Sequence, residues 1–115
     1  MAAGFAFYSN KRIRQSSVFV QAFQHKPLSN KWFSIYLTQS NFEFARLGMV
    51  ISKKTIPKSV ARNVAKRMIR EVFRHHSSKL PALDFVIRIR RNVSKINSVE
   101  ARMALLELML SSKIL

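Results

Sequence analysis

Apolar positions recur at two different periods along the chain, and the changes of period mark its elements. In "SSVFVQAF", Val18 and Ala22 lie four apart, as do Phe19 and Phe23, which predicts a short helix capped by Ser16 or Ser17. "KWFSIYLTQS" then alternates around Phe33, Ile35 and Leu37, and "ARLGMVISKK" forms a second β-rich run after a polar connection. The two runs are expected to pair as a hairpin. From Pro57 to about His76 the helical period takes over, until Ser and Pro in "SSKLPAL" break it. "DFVIRIRR" alternates again, with Phe85, Ile87 and Ile89 on one face and Val86, Arg88 and Arg90 on the other. The last run has Asn97 as N-cap, Glu100 at the capping-box position, and Val99, Met103, Leu106 and Leu110 at helical spacing. The predicted order is helix, two or three strands, helix, strand, helix, and no repeat or long linker divides it.

A length of 115 residues fits one domain, 1–115, with a modest core. Charge changes the picture more than length does. Twenty-one Lys and Arg stand against five Asp and Glu, a formal net charge of +16 on a chain that is 48% apolar. A foldable chain that repels itself this strongly points to a polyanionic partner. The absence of cysteine excludes disulfides, thiolate zinc sites and cysteine nucleophiles, and is compatible with the cytoplasm. "MAAGFAFY" places its apolar run before the basic residues, the reverse of a secretory signal. No stretch approaches the roughly 20 apolar residues of a membrane span. The expectation is a soluble, unexported, cytoplasmic protein without a membrane partner.

The segment "ARNVAKRMIREVFR" concentrates the charge. At 3.6 residues per turn, Val60, Ala61, Val64, Ala65, Met68, Ile69 and Val72 take one side of the helix. Arg62, Asn63, Lys66, Arg67, Arg70 and Arg74 fall within an arc of about 140° on the other. Phe73 lies near the boundary, and Glu71 is placed to pair with Arg67 or Arg74. A solvated face ordinarily mixes signs, yet Arg62, Lys66 and Arg70 repeat one sign four apart, each such pair costing about 0.2–0.5 kcal/mol. Binding phosphates relieves that repulsion, and arginine suits bidentate phosphate contacts.

"SKKTIPKSVARNVAKRMIREVFR" resembles the signature segment of the protein subunit of bacterial ribonuclease P, whose hallmark is Arg-Asn-Arg, then Ile, Lys-Arg and a further Arg. Arg62, Asn63, Lys66, Arg67 and Arg70 match it, with Lys53 and Lys54 upstream. Val64 stands where the family usually has arginine, and the connector carries Pro57. "RIRQSSVFVQAF", "FSIY" and "LPALDFVIRIRR" are similar to the family's first helix, a strand ending in tyrosine, and the last strand.

The resemblance implies an α+β sandwich with a central, mostly antiparallel sheet in the order α-β-β-(β)-α-β-α. In it the motif helix makes a left-handed crossover between parallel strands, against the usual preference. It implies that a catalytic RNA with bound Mg²⁺ removes the 5′ leader of precursor tRNA and that the protein assists. Carried over by position, Lys53, Lys54, Arg62, Asn63, Lys66, Arg67, Arg70 and Arg74 would face the catalytic RNA. Phe19, Phe23 and Tyr36 would lie in or beside a cleft for the single-stranded leader, with Arg12, Arg14 and Arg90 as phosphate contacts. For the two phenylalanines plain core packing is the competing reading, and residues 1–12 read as a flexible basic arm. No DNA partner is expected, and Mg²⁺ belongs mainly to the RNA.

Chemistry of the protein's own is hard to find. Glu43, Glu71, Asp84, Glu100 and Glu107 are scattered, His75 and His76 diverge by about 100° on a helix, and His25 has no evident partner. Two alternatives remain open at this point. One is a ribosomal-type RNA-binding protein without a substrate cleft; the other is a small nuclease using His75 or His76.

Overall fold

A computed structural model describes residues 13, 16–40, 42–94 and 97–112. The chain runs through α1 (Ser16–Ala22), β1 (Leu28–Ser29), β2 (Phe33–Gln39), β3 (Arg46–Val50), α2 (Ser59–His76), β4 (Leu83–Ile89) and α3 (Ser98–Ser111), with a 3-10 turn at Ser77–Lys79. The strands form one sheet in the order β1-β2-β4-β3, antiparallel except where β3 and β4 run parallel. The optional third strand of the sequence prediction is therefore present, as the two-residue β1.

The predicted hairpin is not. β4 lies between β2 and β3, pairing Tyr36 with Val86 on one side and Gly48 with Val86 on the other. β4 carries apolar side chains on both faces, with Phe85, Val86 and Ile87 all fully buried. Such a strand gains most from the middle of a sheet, where both faces and both edges are covered. The parallel β3–β4 pair then requires a long crossover, which the 18 residues of α2 supply.

The main core lies on one face. Phe33 and Ile35 from β2, Leu47 from β3 and Phe85, Ile87 and Ile89 from β4 meet α2 and α3 there. From α2 the buried residues are Ala65, Met68, Ile69, Val72 and Phe73, a narrower stripe than the sequence suggested. Phe73, expected near a boundary, is fully buried and meets Phe85 edge-on at 5.9 Å between ring centres. Val60 and Val64, expected on the apolar side, are 74% and 53% exposed.

The last helix is rotated from its expected setting. Ala101, Leu105, Leu108 and Met109 form its buried stripe, while Val99 and Met103 are exposed and Leu106 and Leu110 half-buried. This helix is apolar nearly all round, so its period cannot choose a face. Tertiary bonds choose it: Trp32 Nε1 donates to Glu100 Oε2 at 2.7 Å, and Asn30 Nδ2 donates to the Ala104 carbonyl at 3.0 Å. The capping box is lost in the process. Asn97 does occupy the N-cap, but its side chain accepts from the Ser94 amide, and Glu100 serves Trp32. Likewise Ser16 and Ser17 are already helical residues of α1, not its cap.

Candidate nucleic-acid interface

The connector before α2 begins with Lys53 and Lys54, both exposed in a turn that Ser52 braces by accepting the Thr55 amide at 3.1 Å. Ile56 is fully buried and anchors the chain beneath the helix. Arg62 folds back on this connector, donating from Nη1 to the carbonyls of Ile56 at 3.0 Å and Pro57 at 2.8 Å. One cation of the motif therefore holds the helix entry while staying partly exposed.

Beyond it, Asn63 and Arg67 are exposed and Lys66 and Arg70 partly so, and none of these four has a carboxylate partner among the described residues. Glu71, the single acid of the helix, takes Arg74 at 2.7 Å in preference to Arg67. The unpaired ridge accordingly runs from Asn63 to Arg70, and Arg74 is committed at its end. Val64 stands exposed beside the ridge as a small apolar gap in the charge.

The opposite face of the sheet carries the aromatic residues. Here β2, β4 and β3 present three rows, Thr38–Asp84–Arg46, Tyr36–Val86–Gly48 and Ser34–Arg88–Val50. The short α1 covers the middle row, with Ile13, Ala22 and Val86 buried and Val18, Phe19, Tyr36 and Val50 packed around them. Phe19 sits directly on Gly48: a Cβ there would meet its ring atoms at 2.8 and 2.9 Å. Phe19 is thus half packing residue, half wall. Phe23 is 43% exposed and meets Tyr36 edge-on, 4.8 Å between ring centres at 89°. These two rings form an open aromatic corner, whereas core packing would have hidden them.

The first row is closed by charge. Arg46 Nε and Nη2 donate to the two oxygens of Asp84 at 2.8 and 2.7 Å, both residues are buried, and the Phe42 ring lies 4.5 Å over the guanidinium. The bonds to Asp84 hold the Arg46 pKa above its ordinary value, outweighing the opposite effect of burial. Nothing in the sequence pattern marked this pair, because its partners are 38 residues apart.

In the third row Ser34 is buried and Val50 packs beside α1, but Arg88 between them is exposed, a candidate the site prediction missed. Arg88 is exposed one step from Tyr36 along the face, a diagonal neighbour at about 7–8 Å and within reach of a long side chain. The alternation of "DFVIRIRR" had already put it on this face. Arg90 follows on the same parity and donates to the Asn30 carbonyl. Arg12 and Arg14 lie outside the described residues, as does the basic arm 1–12.

His75 and His76, the residues offered for an independent nuclease, line one groove between α2 and α3 with Glu71 and Arg102, but each is already engaged within α2. His76 Nδ1 lies 2.9 Å from the Val72 carbonyl, and His75 Nε2 lies 3.5 Å from Glu71. Among the described residues no three His, Cys, Asp or Glu side chains come together to hold a metal ion, and no helix is long and apolar enough to cross a membrane.

Comparison with known proteins gives this geometry a context. A family model described as Ribonuclease P matches residues 7–112. The ribonuclease P protein component of Psychrobacter sp. is 44% identical over 70 residues, covering 61% of this chain and 54% of that protein. That of Saccharophagus degradans is 37% identical over 100 residues, covering 85% and 74%. The aligned part of the chain thus spans between about half and three quarters of these relatives. Among solved structures, the RNase P protein of Staphylococcus aureus superposes with a TM-score of 0.80 at 27% identity, over 90% of this chain and 96% of that one. The RNase P protein from Thermotoga maritima gives 0.72 at 30% identity, over 90% and 97%. A basic crossover helix backed by a mixed sheet, an aromatic corner on the other face and a match running from residue 7 to residue 112 lead to one assignment: the chain belongs to the ribonuclease P protein family.

Proposed function

We propose that this protein is the non-catalytic subunit of ribonuclease P, which binds the catalytic RNA through α2 and the single-stranded 5′ leader of precursor tRNA through the face covered by α1. The observation that carries this reading is the division of labour across the sheet. Asn63, Lys66, Arg67 and Arg70 offer donors and charge with no carboxylate partner among the described residues, suited to a fixed array of phosphates. Lys53 and Lys54 extend that surface, and Arg62 supports it from behind. Phe23, Tyr36 and the edge of Phe19, with Arg88 diagonal to Tyr36 and Arg90 further along β4, offer stacking without base-specific hydrogen bonds. Such a corner tolerates many leader sequences.

In this reading hydrolysis belongs to the RNA, and Mg²⁺ is held there as well. The protein lowers the repulsion between crowded phosphates and retains the substrate, in a cytoplasmic setting consistent with its lack of cysteine. The test is cleavage of a precursor tRNA at low Mg²⁺ by a bacterial ribonuclease P RNA, with and without the protein and with the protein alone. Leader removal that requires both components is expected. Binding of the RNA with no gain in cleavage would reduce the protein to a structural RNA-binding module, and cleavage by the protein alone would make it a nuclease.

A further inference from the structure

The cationic ridge on α2 has an apolar flank on the side that faces α3. Val64 and Arg67 are three apart and so are neighbours on the helix surface, while Val64 and Met68, four apart, make the next step toward α3. Val64 is exposed and Met68 is buried, so the charge stops at Val64 and the seam between the two helices begins there. A groove of about 380 Å³ occupies that seam, lined by Ala61, Val64 and Met68 from α2 and by Ser98 and Arg102 from α3. Arg102 also lines the neighbouring groove of about 250 Å³, with Val72, His75 and Met103. It therefore stands at the saddle between the two.

Nothing on α3 accounts for a cation at this place. Arg102 is exposed and is the only Lys or Arg of the helix, and the residues three and four away from it are Ser98, Val99, Leu105 and Leu106, none of them an acid. No carboxylate pairs with it among the described residues, because Glu71, across the second groove, takes Arg74 at 2.7 Å, and Glu100 accepts from Trp32. An unpaired guanidinium thus lies across a groove from the point where the ridge loses its charge. Packed helices lie about 8–10 Å apart axis to axis, so a long side chain on α3 and one at position 64 of α2 would serve the same region of space. Position 64 is also where the family resemblance places an arginine. We propose that Arg102 supplies from α3 the RNA phosphate contact that α2 lacks at Val64, so that the surface toward the catalytic RNA extends across the seam between the two helices. The inference rests on the functional reading above and adds a third helix to its RNA interface.

The test uses the full chain and measures its assembly with a bacterial ribonuclease P RNA as a function of salt. Arg102→Gln keeps most of the aliphatic stem that lines the grooves and removes the charge. Lys79→Gln, at an exposed cation in the turn beyond α2, removes the same charge elsewhere and is the control. Arg102→Gln is expected to weaken assembly about tenfold more than Lys79→Gln and to lower the log–log salt slope by about 0.7–0.9. Val64→Arg is expected to restore assembly of the Arg102→Gln protein to within about twofold, and to add far less to the otherwise unaltered chain. Such a rescue cannot come from a misfolded protein, and it marks one contact reached from two helices. Equal losses in Arg102→Gln and Lys79→Gln would overturn the proposal while leaving the functional reading intact. So would a gain from Val64→Arg of the same size in both backgrounds, which means two independent contacts. An unaltered protein that fails to assemble with the RNA would instead sink the functional reading, and the role of Arg102 with it.

Discussion

On one face of the sheet, α2 and α3 bury Ile69, Phe73, Leu105 and Met109 against Phe33, Ile35, Phe85 and Ile87; on the other, the seven residues of α1 cover only the row of Tyr36, Val86 and Gly48 and the edge of Val50. The thick side is a conventional core, and each large side chain fully buried there is worth about 1.5–3 kcal/mol. It gives α2 a rigid seat, so that Arg67 and Arg70 present their charge from fixed backbone positions. The thin side is held by a small apolar cluster around Ile13, Ala22 and Val86, a buried ion pair and the close seat of Phe19 on Gly48, which leaves Phe23 and Tyr36 partly uncovered. On the proposed reading, in which this face accepts flexible strands of differing sequence, shallow cover leaves the rings available for stacking.

That contrast can be broken most directly at Asp84. Asp84→Asn leaves the buried Arg46 charge without its counter-ion, and a loss of about 3–5 kcal/mol in unfolding free energy is expected. Chemical denaturation showing a loss under 1 kcal/mol would mean that the pair does not hold this face together.

Gly48→Ala acts next, at about 1–3 kcal/mol, because the new methyl enters the Phe19 ring. Phe19 must swing away or α1 must lift, so leader binding should fall while assembly with the catalytic RNA does not. Equal losses in the two assays would show that the faces are mechanically coupled.

Tyr36→Ala removes half of the aromatic corner and is expected to cost about 1–3 kcal/mol in binding of leader-bearing precursor, with mature tRNA little changed. Equal weakening of both tRNA forms would end the cleft assignment. The smallest effect belongs to Arg67→Ala, which removes one exposed cation from the ridge. It should weaken assembly with the catalytic RNA evenly across sequences and lower the log–log salt slope by about 0.7–0.9, without altering the preference for leader-bearing tRNA. An unchanged slope would place Arg67 outside the interface.

Local pattern was enough to locate every major element of this chain. The periods of "SSVFVQAF", "FSIYLTQ", "RLGMV", "SVARNVAKRMIREVFRHH" and "LDFVIRI" depend only on each segment's own residues, and each appears as the expected helix or strand. The cationic side of α2 was legible for the same reason, since a run of like charges four apart is a property of one helix. What local pattern could not supply was the pairing of distant segments. Strand order was decided by the competition among β2, β3 and β4 for the central place, which the strand apolar on both faces wins. The rotation of α3 was decided by Trp32 and Asn30, some seventy residues away, because a helix apolar all round has no face of its own to prefer. The Arg46–Asp84 pair and the seat of Phe19 on Gly48 are likewise contacts between elements. Amphipathic period fixes which way a segment points relative to itself, and only packing against the rest of the chain fixes what it points at.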